Sequence, residues 1–427
     1  MFSNSTLLLE KLSNIVRGLG KDFYMTKNLL KKMLIMITVL TVGFAFSVSS
    51  AFAATAGDVI YGVKGNVIGI YNSAGEIEFQ PLESDYKGTE YEKLNALALQ
   101  QLCGNDAAKT IVIPSGKTVR MNFAILVGNN TTIKASGATI VQVDSKKGMI
   151  ANKVDATSYN SVKNVKILGG VWKNASSSGL KGSMFKLAHG QNILIDGCDI
   201  SANYNGHSIE LIACKNATVQ NCQIYGLGKA SKTCSEEQVQ IDIATPKTAP
   251  GIKAYGSKYV KGQTCKNIKV LNNYIKGARG VCANYASKEK TYKNKFHSGI
   301  TVTGNTIEGI RSEALALFNT TSATVKNNKI YSKGGRTGSA YTVGVHCAIF
   351  GKAPSSIKKA KITISNNTIK GGRQAVQVYS HTKSKYGKVA ITKNKLYCKK
   401  GKKNAIKAPK QSIRKLSKKG NKIYKWK

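Results

Sequence analysis

Between residues 186 and 284 the sequence collects eight side chains of the kinds that move protons or hold carboxylates: Lys186, His207, Glu210, Glu237, Gln240, Asp242, Arg279 and Asn284. If the strands carrying them stack, Glu210 and Asp242 lie one strand and two residues apart, with Cα atoms roughly 8 Å from each other. Carboxylates about 6.5–9.5 Å apart serve as acid and base across a glycosidic bond with inversion, which makes these two the candidate catalytic pair. His207 beside Glu237 is a candidate general acid or base. Arg279, with Gln240 and Asn284, offers a bidentate fork to a uronate carboxylate. Neutralising that carboxylate opens β-elimination, with His207 or Lys186 as base. Asp242, Glu210 and Glu237 are also the hard oxygen donors that a calcium ion takes. His346 and Tyr379 sit further along and are candidates for a distal sugar. Each role has an ordinary structural alternative, such as a carboxylate paired with Lys186 or Arg279, or a turn histidine bonded to backbone.

A repeat brings these residues together. Seven short segments align as strands: MFKLA from Met184, SIELI from Ser208, QVQID from Gln238, GVCAN from Gly280, ALALF from Ala314, GVHCA from Gly344 and AVQVY from Ala375. Their second and fourth residues are apolar and point inward, so the third, the fifth and the residue before each strand face out as three columns. With strands about 4.8 Å apart, the eight polar residues cover a patch on the order of 15 by 13 Å, the size of a few sugars. The longest insertions flank it, at 226–237, 244–266 and 286–298, as candidate cleft walls carrying Lys229, Lys232, Lys247, Lys253 and Lys258.

The register comes from a second recurring phrase, Asn-x-ψ-x-ψ-x-Asn-Asn-x-Ile with ψ apolar. It starts at Asn164, Asn192, Asn216 and Asn267 and continues in looser form from Ser298, Ser322, Ala360, Lys388 and Arg414. It closes on Trp172, Ile200, Ile224, Ile275, Ile307, Ile330, Ile369, Leu396 and Ile423. An imperfect period of this kind marks a solenoid of β-strands with loops let out between them. Asn273, Asn305, Asn328, Asn367, Asn394 and Asn421 share one position of the phrase, continuing Cys198 and Cys222. Residues 54–110 differ: Glu90 to Cys103 has helical periodicity and leads into a strand, a Pro-Ser-Gly turn and a strand, as suits a cap over the open end of a solenoid. The division expected is 1–53 export segment and extension, 54–110 cap, 111–427 solenoid.

This pattern resembles the right-handed parallel β-helix proteins of the pectate lyase and polygalacturonase superfamily, over roughly residues 105–427. The resemblance implies an all-β, single-stranded right-handed parallel β-helix with an N-terminal capping helix, and an asparagine ladder at the shared Asn position. It implies a carbohydrate-active class, hydrolase or lyase, and no particular activity. Of the polygalacturonase motifs only Gly206-His207-Ser208 has a partial counterpart, and the pectate lyase Arg-x-Pro-x-x-Arg is absent.

Composition bounds the partners. The chain has 427 residues and a net charge of +44, from 65 Lys+Arg against 21 Asp+Glu. Such a balance attracts polyanions, and acidic polysaccharide or anionic cell-wall polymer is the expected partner. Zinc-finger spacing, RNA-recognition and helix-turn-helix signals are missing, and the exposed columns lack interleaved aromatics, so no specific nucleic-acid partner is expected. Lys27, Lys31 and Lys32 precede an apolar run from Met33 to Phe46 and the small-x-small site Ala51-Phe52-Ala53. That is an export signal cleaved after Ala53, which predicts a secreted or surface-associated monomer with no membrane segment after cleavage. Nine cysteines follow no disulfide framework, and no Cys/His cluster has metal-ligand spacing. Cys198 and Cys222 are expected as stacked buried thiols. The alternative to cleavage is a non-catalytic surface protein that binds anionic polymer or glycan.

Overall fold

The computed structural model describes residues 58–64, 67–71, 77–79, 91–144, 147–175, 182–334 and 342–426. The expected export segment lies outside these residues, as does part of the expected cap. Short strands wind into a coil with three sheets of 14, 11 and 10 strands along its length. Each strand pairs in parallel with its counterpart one turn further on. At the N-terminal edge of the first sheet, Asp58–Lys64 pairs antiparallel with Val67–Tyr71, which pairs antiparallel with Ile77–Phe79.

The recurring phrase builds two of the three walls. Its first half is a first-sheet strand, its close is a second-sheet strand, and the turn between them carries the paired asparagines. The first of the pair, at Asn221, Asn272, Asn327 and Asn366, has φ of 55 to 57°. Asparagine tolerates this left-handed conformation better than other non-glycine residues, so it makes the bend at little cost. The second is the buried ladder. Asn305 takes its backbone N–H and its Nδ2 to Oδ1 of Asn328, at 2.8 and 3.0 Å, and Asn328 repeats the pattern on Asn367. Each Nδ2 also reaches a carbonyl of the preceding turn, as from Asn328 to Val302 O at 2.9 Å. The same bonds run from Asn273 to Asn421. Cys198 and Cys222 continue the line as buried free thiols, and all nine cysteines are buried and unpaired with one another.

A second ladder, absent from the expectations, runs along the surface. Asn164, Asn192, Asn216 and Asn267 lie second or third in their first-sheet strands with φ of 53 to 58°. Their amides bond rung to rung from Asn130 to Asn267, at 2.8 to 3.3 Å.

The core is one continuous cluster of stacked aliphatic side chains. The closing residues of the phrase pair in strict register, Trp172 on Ile200 through to Leu396 on Ile423. Each fully buried aliphatic side chain in such a column contributes about 1.5–3 kcal/mol. At the N-terminal end, helix α1 (Tyr91–Cys103) packs on the strands Thr118–Met121 and Ile125–Leu126. Gln100 accepts from Leu126 N–H at 2.7 Å and donates to Leu126 O at 3.0 Å, so one side-chain amide closes a strand edge.

Candidate functional site

Seven strands of the third sheet carry the predicted columns: β1 (Ser183–Ala188), β2 (His207–Ile212), β3 (Glu237–Asp242), β4 (Arg279–Ala283), β5 (Leu315–Phe318), β6 (Val343–Ile349) and β7 (Gln374–Ser380). The central column is Lys186, Glu210, Gln240, Cys282, Ala316, His346 and Gln377, each in register with the next. Glu237 pairs with Arg279 in the preceding column, and Ile212 with Asp242 in the following one. The outward face is therefore the one the sequence predicts.

Outward does not mean open. Glu210, Glu237 and Arg279 are 5, 5 and 7% exposed, and Asp242 is fully buried. Two insertions close the flanks. Ile252, Tyr259 and Val260 pack on Ala188 and Ile212, and His189 Nε2 meets Tyr259 O at 2.7 Å. On the other flank Ala230 and Cys234 pack on Tyr204 and Ala278. Glu289 of the third insertion is tied to Thr245 and to Lys247 N–H of the second. The insertions thus pack down beside the row as its shoulders. Their lysines 229, 232, 247, 253 and 258 are exposed to solvent.

The charges along the row are satisfied by one another. Lys186 Nζ lies 3.3 Å from Glu210 Oε2, which also accepts from Ser183 Oγ. Arg279 Nη1 donates to Glu237 Oε1 at 2.6 Å, and its Nη2 lies 2.9 Å from Glu313 Oε2. His346 Nδ1 lies 2.9 Å from Glu313 Oε1 and its Nε2 2.9 Å from Gln377 Nε2. Nδ1 thus faces a carboxylate and Nε2 an amide, which fixes the ring between Glu313 and Gln377. His207 Nδ1 donates to Glu237 backbone O at 2.6 Å, with the Glu237 carboxylate 3.7 Å away. Burial pushes Glu313 upward, but Arg279 and then His346 and Ser312 outweigh it and hold the carboxyl at about 2.

One expected role changes in consequence. Arg279 does not present a free fork to a substrate carboxylate, because two buried glutamates already hold its guanidinium. The three carboxylates considered for calcium have partners within the protein: Glu210 is engaged by Lys186 and Glu237 by Arg279, while Gln240 and Asn284 donate to Asp242 at 2.9 and 3.0 Å. Among the described residues no group of three or more His, Cys, Asp or Glu is placed to hold a metal ion. Asp242 is nonetheless unusual. Burial, then the charges of Glu210 and Glu237, push its carboxyl well above the usual range, favouring the neutral acid.

Past β4 the face becomes aromatic. Phe350 stacks between Tyr285, at 3.9 Å, and His381, at 4.6 Å. Tyr379 meets His381 edge-on at 4.8 Å, and Lys407 Nζ lies 4.8 Å from the Tyr379 ring centroid. Phe318 packs edge-on against His346. Tyr379 and His346, expected to contact distal sugar, are joined here by Tyr285, Phe350, His381 and Lys407, which the columns did not include. Phe350 and His381 lie two residues beyond the fifth positions Ala348 and Tyr379, so extending the columns by one outward place would have found them.

His297 lies beneath this face, fully buried, with Nε2 2.8 Å from Asn284 O and Nδ1 accepting from Cys265 N–H at 3.1 Å. Burial lowers its pKa from 6.5 to about 4. A histidine held neutral when folded costs stability as pH falls from 6.5 to 4, because the unfolded chain takes up the proton first. Its share is on the order of 3 kcal/mol, lost across that window. Asp242, with a raised pKa, acts with the opposite sign: its contribution is present at low pH and lost as pH rises above 3.8. The two are separated by comparing melting temperatures of wild type and His297→Gln between neutral pH and pH 4.5. The variant is expected to show a shallower loss, and an unchanged slope would remove His297 from the account.

No family model and no curated protein sequence matches the chain. Solved structures do. The surface adhesin PfbA of Streptococcus pneumoniae superposes over 80% of this chain and 95% of its own, at 15% identity and a TM-score of 0.50. The fold is a right-handed parallel β-helix. Weaker likenesses include the A-module of the Azotobacter vinelandii mannuronan C-5 epimerase AlgE6, at 13% identity, 76 and 94% coverage and a TM-score of 0.44. The tailspike of Escherichia coli bacteriophage HK620, solved with a pentasaccharide, matches at 13% identity, 82 and 65% coverage and a TM-score of 0.40. The likenesses extend to the coil and leave open what this β-helix does.

Proposed function

We propose that this β-helix is a secreted or surface glycan-binding protein whose ligand is an acidic polysaccharide lying along the outer face of the third sheet. The observation that carries this reading is the half-exposed aromatic surface of Tyr285, Phe350 and Tyr379, with Lys407 beside it, next to the buried, internally paired row. Partly exposed aromatic rings with a cation held against one of them suit a sugar ring that carries a carboxylate. The net charge of +44 draws a polyanion toward the protein. Sealed acids rank binding ahead of cleavage, which the sequence alone had put first.

Cleavage remains the second reading because of one pair. Asp242 favours its neutral form beside Glu210, a split that general acid–base chemistry needs. Asp242 is fully buried, so a substrate would have to uncover it first. A panel of uronate polysaccharides separates the readings, scoring retention, new reducing ends and unsaturated uronate together. Retention without products is expected, and Phe350→Ala with Tyr379→Ala should weaken it roughly tenfold. Products that vanish in Glu210→Gln and Asp242→Asn would put cleavage first. Absence of both retention and products would end the proposal.

A further inference from the structure

The charge of this chain is strongly polarised. After Glu313 the sequence has no Asp or Glu, while residues 314–427 hold 28 Lys and Arg. On the second sheet, away from the face described above, these lysines fall into order. Four consecutive rungs, Lys329–Ser332, Thr368–Gly371, Lys395–Cys398 and Lys422–Lys425, present two outward columns. One is Lys329, Thr368, Lys395 and Lys422; the other is Tyr331, Lys370, Tyr397 and Tyr424. Lys329, Lys395 and Lys422 are exposed. The last acid on this face, Glu308, is held by Lys333 at 2.8 Å.

Lysines in register on neighbouring strands, as at 395 and 422, repel one another and cost stability. The fold carries that cost on a flat, regular surface. The rings between the lysines are already engaged. Tyr397 and Tyr424 stack at 4.8 Å and 20°, and Lys370 Nζ sits 5.2 Å from the Tyr331 ring, 5.4 Å from Tyr397 and 5.9 Å from Trp426. Tyr397, between the Tyr424 ring and the Lys370 ammonium, offers its edge and hydroxyl, whereas a nucleobase needs a free face to stack on. Tyr331, Tyr397 and Tyr424 each end in a hydroxyl and stand among lysines, unlike the apolar wedge that a lipid bilayer takes. It offers ammonium and phenol donors repeated about every 4.8 Å, close to the advance of one sugar ring in an extended polyuronate.

We propose that this second-sheet face is a separate binding surface for a linear anionic polysaccharide, laid along the coil axis with its carboxylates on Lys329, Lys395 and Lys422. It goes beyond the third-sheet reading and does not depend on it.

The test uses the full chain and polygalacturonate, with dextran, single-stranded DNA and anionic phospholipid vesicles alongside. The triple variant Lys329→Ala, Lys395→Ala, Lys422→Ala is expected to bind polygalacturonate roughly tenfold more weakly at low salt, with a melting temperature equal to or above that of wild type. The corresponding triple arginine variant should bind as wild type. Dextran should not bind in either case. Undiminished affinity in the alanine variant overturns the proposal. So does tighter binding of DNA or vesicles than of polygalacturonate that is lost in the same variant. The two faces are told apart by the Phe350→Ala, Tyr379→Ala protein. Loss in that protein alone leaves only the third-sheet surface, and loss in the lysine variant alone leaves only this one.

Discussion

Replacing Arg279 by methionine is expected to lower the stability of the folded chain by about 3–5 kcal/mol, the usual cost of removing one partner from a buried ion pair. Its guanidinium lies between Glu237 and Glu313, with side-chain exposures of 8, 7 and 2%. Methionine matches much of the volume and none of the charge, so two carboxylates are left facing each other in a dry row. The effect depends on pH in a defined sense. Glu313, held at about 2, stabilises the native state above pH 4.5 and loses that contribution as pH falls toward 2. Without Arg279 the same carboxyl is pushed up by burial, so the gap between wild type and variant should narrow as pH is lowered. Urea unfolding at neutral and acid pH measures both. A further variant adding Glu237→Gln and Glu313→Gln should recover most of the loss, because a neutral, well-packed replacement for a buried ion cluster is often tolerated. If Arg279→Met melts like wild type, the row is not a structural element and the glutamates are free for other work.

The second large effect belongs to the asparagine ladder. Asn328→Ala is expected to cost about 3–5 kcal/mol. Asn328 Oδ1 accepts from Asn305 N–H and Nδ2, and its Nδ2 serves Val302 O and Asn367 Oδ1. Alanine strands the Asn305 N–H and the Val302 carbonyl in a turn where Asn305 and Asn328 are buried, and each such orphan costs about 1–3 kcal/mol. The neighbouring Asn327 is the control. It is exposed and left-handed, with φ of 57°, so Asn327→Gly should be close to neutral and Asn327→Ala should cost about 1–2 kcal/mol. A chain in which 327 and 328 respond alike would contradict the division of labour assigned to the paired asparagines.

These two cases mark how far the sequence could be read. The ladder, the apolar columns and the strand register were all legible, down to Trp172 on Ile200 and Lys186 on Glu210. They rest on a side-chain period of two and on identical positions stacking in successive turns, which a single chain displays in its own repeats. The candidate site was legible as a column and misread as a surface. Arg279 appeared to have a free fork although Glu313, 34 residues later, stands before the next strand in the same column, because register places neighbours without saying which of them bond. Asp242 appeared exposed because its column faces out, while Ile252, Tyr259 and Val260 cover that flank from an insertion with no repeat to place it. The lysine and tyrosine face on the second sheet was missed for a different reason: only the upstream strands were arranged in columns.

By itself, then, the sequence determined the β-helix, its turn chemistry and which side chains share a face, because these follow from local alternation and from repetition along one axis. Tertiary structure alone decided which of those side chains meet water. That depends on where irregular insertions pack and on which charges find each other across turns, contacts set by three-dimensional fit between segments that share no period. The eight polar residues between 186 and 284 do form one patch. Folding turns most of it into a buried, internally paired floor and leaves the aromatic and lysine surfaces beside solvent.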